Sequence, residues 1–290
     1  MKMSQLVEQY VILRAHESKQ YLNCVRLATK RFIEANGDIY VGDIKEDHIG
    51  RYLTHVGNHA QSSHTLRGHV AMLKAMLKEA LDIGLISRLP RFPKIRVEKR
   101  SPDAWTLRDV NQLFDYVATL PGSVGEIPAN LWWESILLAA YYTGLRLSGL
   151  LNVYWFQVDL QGKFLRAITN KNKREQTFLI PEDLVALLQQ IKDPPREKVW
   201  EYPYKDQKWP CRTLRRIVDR AGIPAPKNLH GQLFQKMRRT CITWTAVNDL
   251  NMATRVAGHA SPETTIKHYV DPRMLGAITP AVPRLKIKVS

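Results

Sequence analysis

The chain holds its chemistry-bearing side chains in a few tight places. One stretch opens on Gln235-Lys236-Met237-Arg238-Arg239-Thr240 and closes on Gly258-His259 and His268-Tyr269. Upstream, Arg146 ends Thr143-Gly144-Leu145-Arg146, and Lys171 stands within Asn170-Lys171-Asn172-Lys173. These are side chains suited to phosphate esters. Guanidiniums fork onto anionic oxygens, a tyrosine hydroxyl can form a covalent ester, and an ammonium can deliver a proton. Taken singly, each has an ordinary explanation: Arg146 as a surface arginine at a helix end, Lys171 as a solubilising turn lysine, His259 as a bonded structural histidine, Tyr269 as packing. Gln235 and Arg238 are three apart and share one helix face, while Arg239 points elsewhere. Thr264-Thr265 lies between His259 and Tyr269, which places those two on adjacent short helices.

What must position these residues is a basic two-part chain. Its 290 residues are comfortable for two domains, each with its own core. Lysine and arginine number 43 against 27 aspartates and glutamates, a net charge of +16, which favours a polyanionic partner, nucleic acid first. The excess is spread, with 17 basic and 10 acidic side chains in residues 1–100 and 26 and 17 in the rest. No apolar run approaches a membrane span, and Met1-Lys2-Met3-Ser4 does not lead into a secretory signal, so a cytoplasmic protein is expected, nucleoid-associated if bacterial. Cys24, Cys211 and Cys241 are three and far apart, pointing neither to disulfides nor to zinc but to buried or neutral thiols. No metal site and no cofactor are expected.

Residues 5–35 read as helical, with a polar patch between two apolar clusters, and Asn36-Gly37-Asp38 stops the run. A short helix is expected over Asp47–His55. The strongest periodicity follows Ser62-Ser63: Leu66, Val70, Leu73, Leu77 and Leu81 repeat at helical spacing to Gly84, leaving Arg67, Lys74 and Lys78 on other faces. From Arg88 to Pro102, Pro90, Pro93 and Pro102 block helix amid Arg91, Lys94, Arg96, Lys99 and Arg100, the composition of a basic linker. Thr106 is set to cap a helix carrying Leu107, Val110, Leu113, Phe114 and Val117 inward. Leu131–Tyr142 is apolar almost all round and should be a central buried helix. Alternating segments at 154–159, 164–168 and 177–180 predict a three-stranded antiparallel sheet. Helices are expected again over 181–191 and 212–221, from Phe234, and in one or two short pieces up to Tyr269.

The ordered set Thr-Gly-Leu-Arg, hairpin lysine, Gln-Lys-Met-Arg-Arg-Thr, Gly-His and Tyr resembles the phage integrase, or tyrosine recombinase, signature, and the resemblance covers essentially the whole chain. It implies a fold that is mainly α with a small antiparallel β-sheet: a helical core DNA-binding domain over 1–88, the basic linker over 89–103, an α+β catalytic domain over 104–275, and a tail over 276–290 exchanged between protomers. No separate arm-binding domain is expected before the first helices. The resemblance makes Arg146 and Arg238 the two catalytic arginines, Lys171 the general acid, His259 a phosphate ligand and Tyr269 the nucleophile of a site-specific DNA recombinase working through a 3′-phosphotyrosine, with neither metal nor ATP. Double-stranded DNA is the implied partner, bound by a dimer per site and a tetramer at synapsis, with room for an accessory directionality factor and none for a membrane. Arg67, Lys74, Lys78, Arg91, Lys94, Arg96, Lys99, Arg100, Lys173 and Arg239 are the expected DNA contacts.

Two positions depart from the pattern. Gln235 stands where a histidine is usual, and it can donate a hydrogen bond but cannot exchange protons near neutral pH. Gly149 stands where an acidic partner of the first arginine is usual, and His230 lies off the Gln235–Arg238 face. Both departures support one rival, an integrase-fold DNA-binding protein that has lost cleavage. A second rival, a relaxing enzyme of the type IB topoisomerase kind, shares the tyrosine chemistry but suits a two-domain layout less well. In the tail, Leu285, Ile287 and Val289 alternate with Lys286 and Lys288, a short strand pattern that could add to a neighbour's sheet.

Overall fold

The computed structural model describes residues 1–59, 62–97, 101–169, 174–193, 195–225 and 233–274. The chain divides into two compact units, Met1–Arg100 and Ser101–Ser290. Among the described residues no helix is long and apolar enough to cross a membrane.

Four helices build the first unit: α1 (Met3–Leu13), α2 (Lys19–Asn36), α3 (Glu46–His59) and α4 (Ser63–Asp82). The single helical run expected over 5–35 is two helices. Ser18 accepts the N–H of Tyr21 at 3.2 Å, and capping a new first turn there is what its short hydroxyl does best. Leu6, Tyr10, Phe32, Ile49, Tyr52, Leu73, Met76 and Leu77 are buried together. In α4 the periodic set turns inward as its spacing predicts, and Arg67, Lys74 and Lys78 are all exposed. Beyond α4, Leu89, Phe92 and Ile95 pack on the same core, while Arg91, Lys94 and Arg96 are exposed. Lys99 and Arg100 lie outside the described residues.

The second unit starts with α5 (Leu107–Val117), where Thr106 and Asp109 cap each other's backbone in a reciprocal box. A tight hairpin of β1 (Ser123–Val124) and β2 (Ile127–Pro128) leads into α6 (Ala129–Thr143). Trp132, Trp133, Ile136, Leu137, Ala139 and Ala140 make α6 the buried axis of the unit, as its all-round apolar sequence requires. One turn, α7 (Leu147–Leu150), follows, then the sheet β3 (Val158–Asp159), β4 (Phe164–Thr169) and β5 (Arg174–Leu179), antiparallel in sequence order. The expected strand over 154–159 is mostly something else: Trp155–Gln157 is a 3-10 turn, its first N–H given to Glu197 O at 3.0 Å, and only Val158 and Asp159 pair with β4. Register runs from Phe164 opposite Leu179 to Thr169 opposite Arg174. Residues 170–173, with Lys171 and Lys173, fall outside the described residues, as do His230 and the tail 275–290.

The unit is completed by α8 (Glu182–Gln190), α9 (Trp209–Arg220), α10 (Leu233–Asn248), α11 (Leu250–Ala257) and α12 (Pro262–Tyr269). Pro210 is the second residue of α9, within the first turn, where its missing N–H costs nothing. The mainly helical fold with small antiparallel sheets agrees with the sequence-based expectation; the β1–β2 hairpin and α7 were not foreseen. Of the cysteines, Cys241 is buried and Cys24 and Cys211 are half-buried; burial pushes the Cys241 thiol up to about 12.

Candidate active site

Helix α6 ends because Gly144 takes a left-handed conformation, φ 61°, that L side chains rarely adopt. A Cβ there would sit 3.2 Å from both Cys241 Sγ and Val256 Cγ1, so glycine is fixed by space as well. The chain then turns through the buried Leu145 and delivers Arg146, half-buried, at the start of α7.

On α10, Gln235 and Arg238 face the same side one turn apart. Arg238 is 3% exposed and donates Nη1 to Gly144 O and Nη2 to Ala257 O, the latter at 2.7 Å. Its cation therefore closes the C-terminal ends of α6 and α11, where peptide dipoles concentrate negative charge. The Nε of Arg238 is buried without a hydrogen-bond partner. Asp249 caps α11 through the N–H groups of Asn251 and Met252. Gly258, again left-handed, ends α11 and leaves His259 in the turn before α12, not on a helix as its spacing suggested. Ser261 caps α12, and Tyr269 is its last residue.

These elements bring five of the six sequence-selected site residues together. The Tyr269 hydroxyl accepts from Arg146 Nη2 at 3.2 Å and from Gln235 Nε2 at 3.3 Å. The Arg238 guanidinium lies 5.1 Å from the Tyr269 ring centroid and the His259 ring 4.8 Å from it. His259 Nδ1 is 3.0 Å from Thr265 Oγ1. Lys171 is the sixth and lies outside the described residues. His268 is exposed, and Arg239 turns from the cluster to Asp103, 3.7 Å away. Gly149 is buried in α7.

Electrostatics follow from this crowding. Burial pushes the Tyr269 phenol up, but the charges of Arg238 and Arg146 and the bonds to its oxygen outweigh that, so its pKa falls below the ordinary tyrosine value. Burial, then the nearby charge of Arg146, lowers that of Arg238, although a guanidinium stays protonated. Beside His259 a cleft of about 850 Å³ opens between β5 and α11, lined by Gln176, Phe178, Met252 and Arg255 among others. Gln176 Nε2 spans it to Arg255 O at 2.7 Å. Among the described residues no three His, Cys, Asp or Glu side chains are grouped to hold a metal ion.

Sequence reasoning passed over the side chains that hold this cluster from behind. Lys236 pairs with Asp103 at 2.7 Å, and Thr243 Oγ1 donates to Tyr269 O at 2.9 Å. A buried threonine on α10 carries no local signal that sets it apart from packing.

Comparison with known proteins agrees with the geometry. The phage integrase family profile matches residues 105–275. A tyrosine recombinase from Thermosipho africanus is 24% identical over 268 residues, covering 90% of this chain and 86% of its own. Among solved structures, the Tn1549 transposon integrase in complex with transposon right end DNA superposes with a TM-score of 0.77 at 12% identity, covering 96% of each chain. A lambda integrase tetramer bound to a Holliday junction superposes at 0.75 and 14% identity, covering 100% of this chain and 81% of that one. At these identities the superpositions speak for the fold.

Proposed function

The chain belongs to the phage integrase family of tyrosine recombinases, and from that premise we propose that it cleaves and rejoins DNA strands with Tyr269 as nucleophile. The observation that carries this reading is the Tyr269 hydroxyl bonded to Arg146 and Gln235 beside a buried Arg238 whose Nε lacks a partner. A buried unsatisfied cationic donor is expensive in a finished core.

In the reaction, the Tyr269 oxygen forms a bond to phosphorus and the bond to the 5′ oxygen breaks, leaving a 3′-phosphotyrosine. Arg146 and Arg238 meet the charge that grows on the non-bridging oxygens, His259 adds a hydrogen bond, and Lys171 protonates the departing 5′ oxygen. Gln235 cannot take the phenolic proton. Loss of that proton is instead eased by the two guanidiniums, which favour the phenolate. Rejoining is the reverse attack by a 5′ hydroxyl, so the bond energy is kept in the ester and neither ATP nor metal is needed.

We assign residues 1–88 and the basic stretch 89–103 to gripping duplex DNA and residues 104–275 to catalysis. Exposed Arg67, Lys74, Lys78, Arg91, Lys94 and Arg96 are suited to backbone phosphates, which fix register without reading sequence. Lambda integrase is known as a dimer on a core site and as a tetramer on a Holliday junction; the same assembly is proposed here, with residues 276–290 passing to a neighbour. The test is covalent trapping on a library of nicked duplexes, with the trapped end sequenced. Wild type should yield an adduct that disappears in Tyr269→Phe while DNA affinity persists. Binding with no adduct under any condition would mean a DNA-binding protein that has lost cleavage, the outcome that Gln235 and Gly149 favour. Relaxation of any supercoiled plasmid without site preference would mean a topoisomerase.

A further inference from the structure

A hydroxyl in a core must find partners, and two on α10 find theirs far away in sequence. Thr240 and Thr243 are both 0% exposed. Thr240 Oγ1 accepts the N–H of Trp105 at 2.9 Å. Thr243 Oγ1 accepts the N–H of Asp271 at 3.1 Å and donates to Tyr269 O. Asp271 is itself 1% exposed, and its Oδ2 accepts the N–H of Ala104 at 2.9 Å. Ala104 and Trp105 are the residues by which the chain enters the second unit from the basic stretch, and the neighbouring Asp103 holds Lys236 of α10. The chain just after Tyr269 is thus bonded through its backbone to the helix that carries Gln235 and Arg238 and through the Asp271 carboxylate to the entry segment.

Such bonding matters because α12 has only eight residues, too few to hold itself in place. Its last side chain is located by whatever holds the two ends. The bonds of Ser261 stay within α12, at Thr264; Thr243 and Asp271 tie the other end to the rest of the second unit. The chemistry proposed above makes no use of the Asp271 carboxylate, and an ionisable group is costly to bury without a purpose for its bonds.

We propose that Asp271 is a positioning residue for strand cleavage, fastening the backbone just after Tyr269 to the entry segment at Ala104, so that the phenol stays against its arginines only while that segment is seated. The proposal rests on Tyr269 being the nucleophile. A linker drawn out of place would then withdraw the nucleophile without disturbing Arg146 or Arg238.

The test uses the full chain carrying tyrosine labelled with ¹³C at the ζ carbon, with Asp271→Ala, Asp271→Asn and Thr243→Val as variants. Among the described residues, the charged or titratable side chains that face the phenol are Arg146, Arg238 and His259. Losing the fastening should move the phenol away from the two cations, so its NMR titration midpoint should rise in Asp271→Ala and Thr243→Val. Adduct formation on the trapped site should slow by about tenfold to a hundredfold, the scale of a misplacement near 1 Å, at unchanged DNA affinity. Asp271→Asn keeps an acceptor oxygen and should stay near wild type. A phenol titration in Asp271→Ala identical to wild type overturns the proposal whatever Thr243→Val does, and so does an Asp271→Asn variant as slow as Asp271→Ala. If Asp271→Ala does not melt cooperatively, Asp271→Ser, which keeps a small polar side chain but cannot reach the Ala104 N–H, decides by the same two readouts. Titration needs no DNA, so an adduct that persists in Tyr269→Phe would sink the nucleophile and leave the fastening to be judged separately.

Discussion

At the scale of single residues, the Tyr269 hydroxyl is held by one cation and one amide. Gln235 lies 3.3 Å from it and can steady the oxygen but cannot carry its proton away. Because the arginines lower the phenol's pKa, the phenolate fraction grows as pH rises, and the single-turnover cleavage rate should climb with pH and level off below the ordinary tyrosine value of about 10. Gln235→His places a base there that is neutral above about pH 6.5. It should raise the rate near pH 7 by about tenfold or more and flatten the pH profile. An unchanged rate and profile would reduce Gln235 to a hydrogen-bond donor whose replacement has no chemical value.

At the scale of elements, the cluster depends on how helices end. Gly144→Ala forces a side chain into a left-handed conformation, at roughly 1–2 kcal/mol, and presses its Cβ on Cys241 and Val256. The expected outcome is a Tm lower by a few degrees, with cleavage reduced further than stability because Gly144 O and Arg146 both move; unchanged melting would show that the α6 end yields easily. The same contrast explains what the sequence disclosed. Leu66, Val70, Leu73 and Leu77 announce α4, and the apolar run of α6 announces a buried axis, because helical periodicity is local. Thr143-Gly144 likewise announces a stop. The stretch 154–157 misleads because its backbone partner is Glu197, some forty residues on, and no local alternation encodes it. Arg146, Gln235, Arg238, His259 and Tyr269 could be picked out only as an ordered set. Thr243, Asp271 and Ala104, which hold that set from behind, are joined by bonds across 28 and 167 positions and leave no pattern to read.

For the whole molecule, a net charge of +16 predicts that the proposed DNA binding is dominated by counterion release. Affinity should fall linearly on a log–log plot against salt, and each replacement among Arg67, Lys74 and Lys78 by glutamine should reduce the slope by about 0.9 if it meets a phosphate. Arg14, already paired with Glu79 at 2.7 Å, is the control and should leave the slope unchanged; equal slopes for all four variants would place the DNA elsewhere on the protein. The arginine at the centre of the proposed chemistry works in another way. Arg238 spends two of its nitrogens on the carbonyls of Gly144 and Ala257, so the guanidinium proposed to meet phosphate is the one that closes two helix ends. For a protein that opens DNA strands this is a safety catch. On the proposed chemistry, a copy whose second unit has begun to melt would lose the placement of that arginine and fall silent where a looser design would go on nicking.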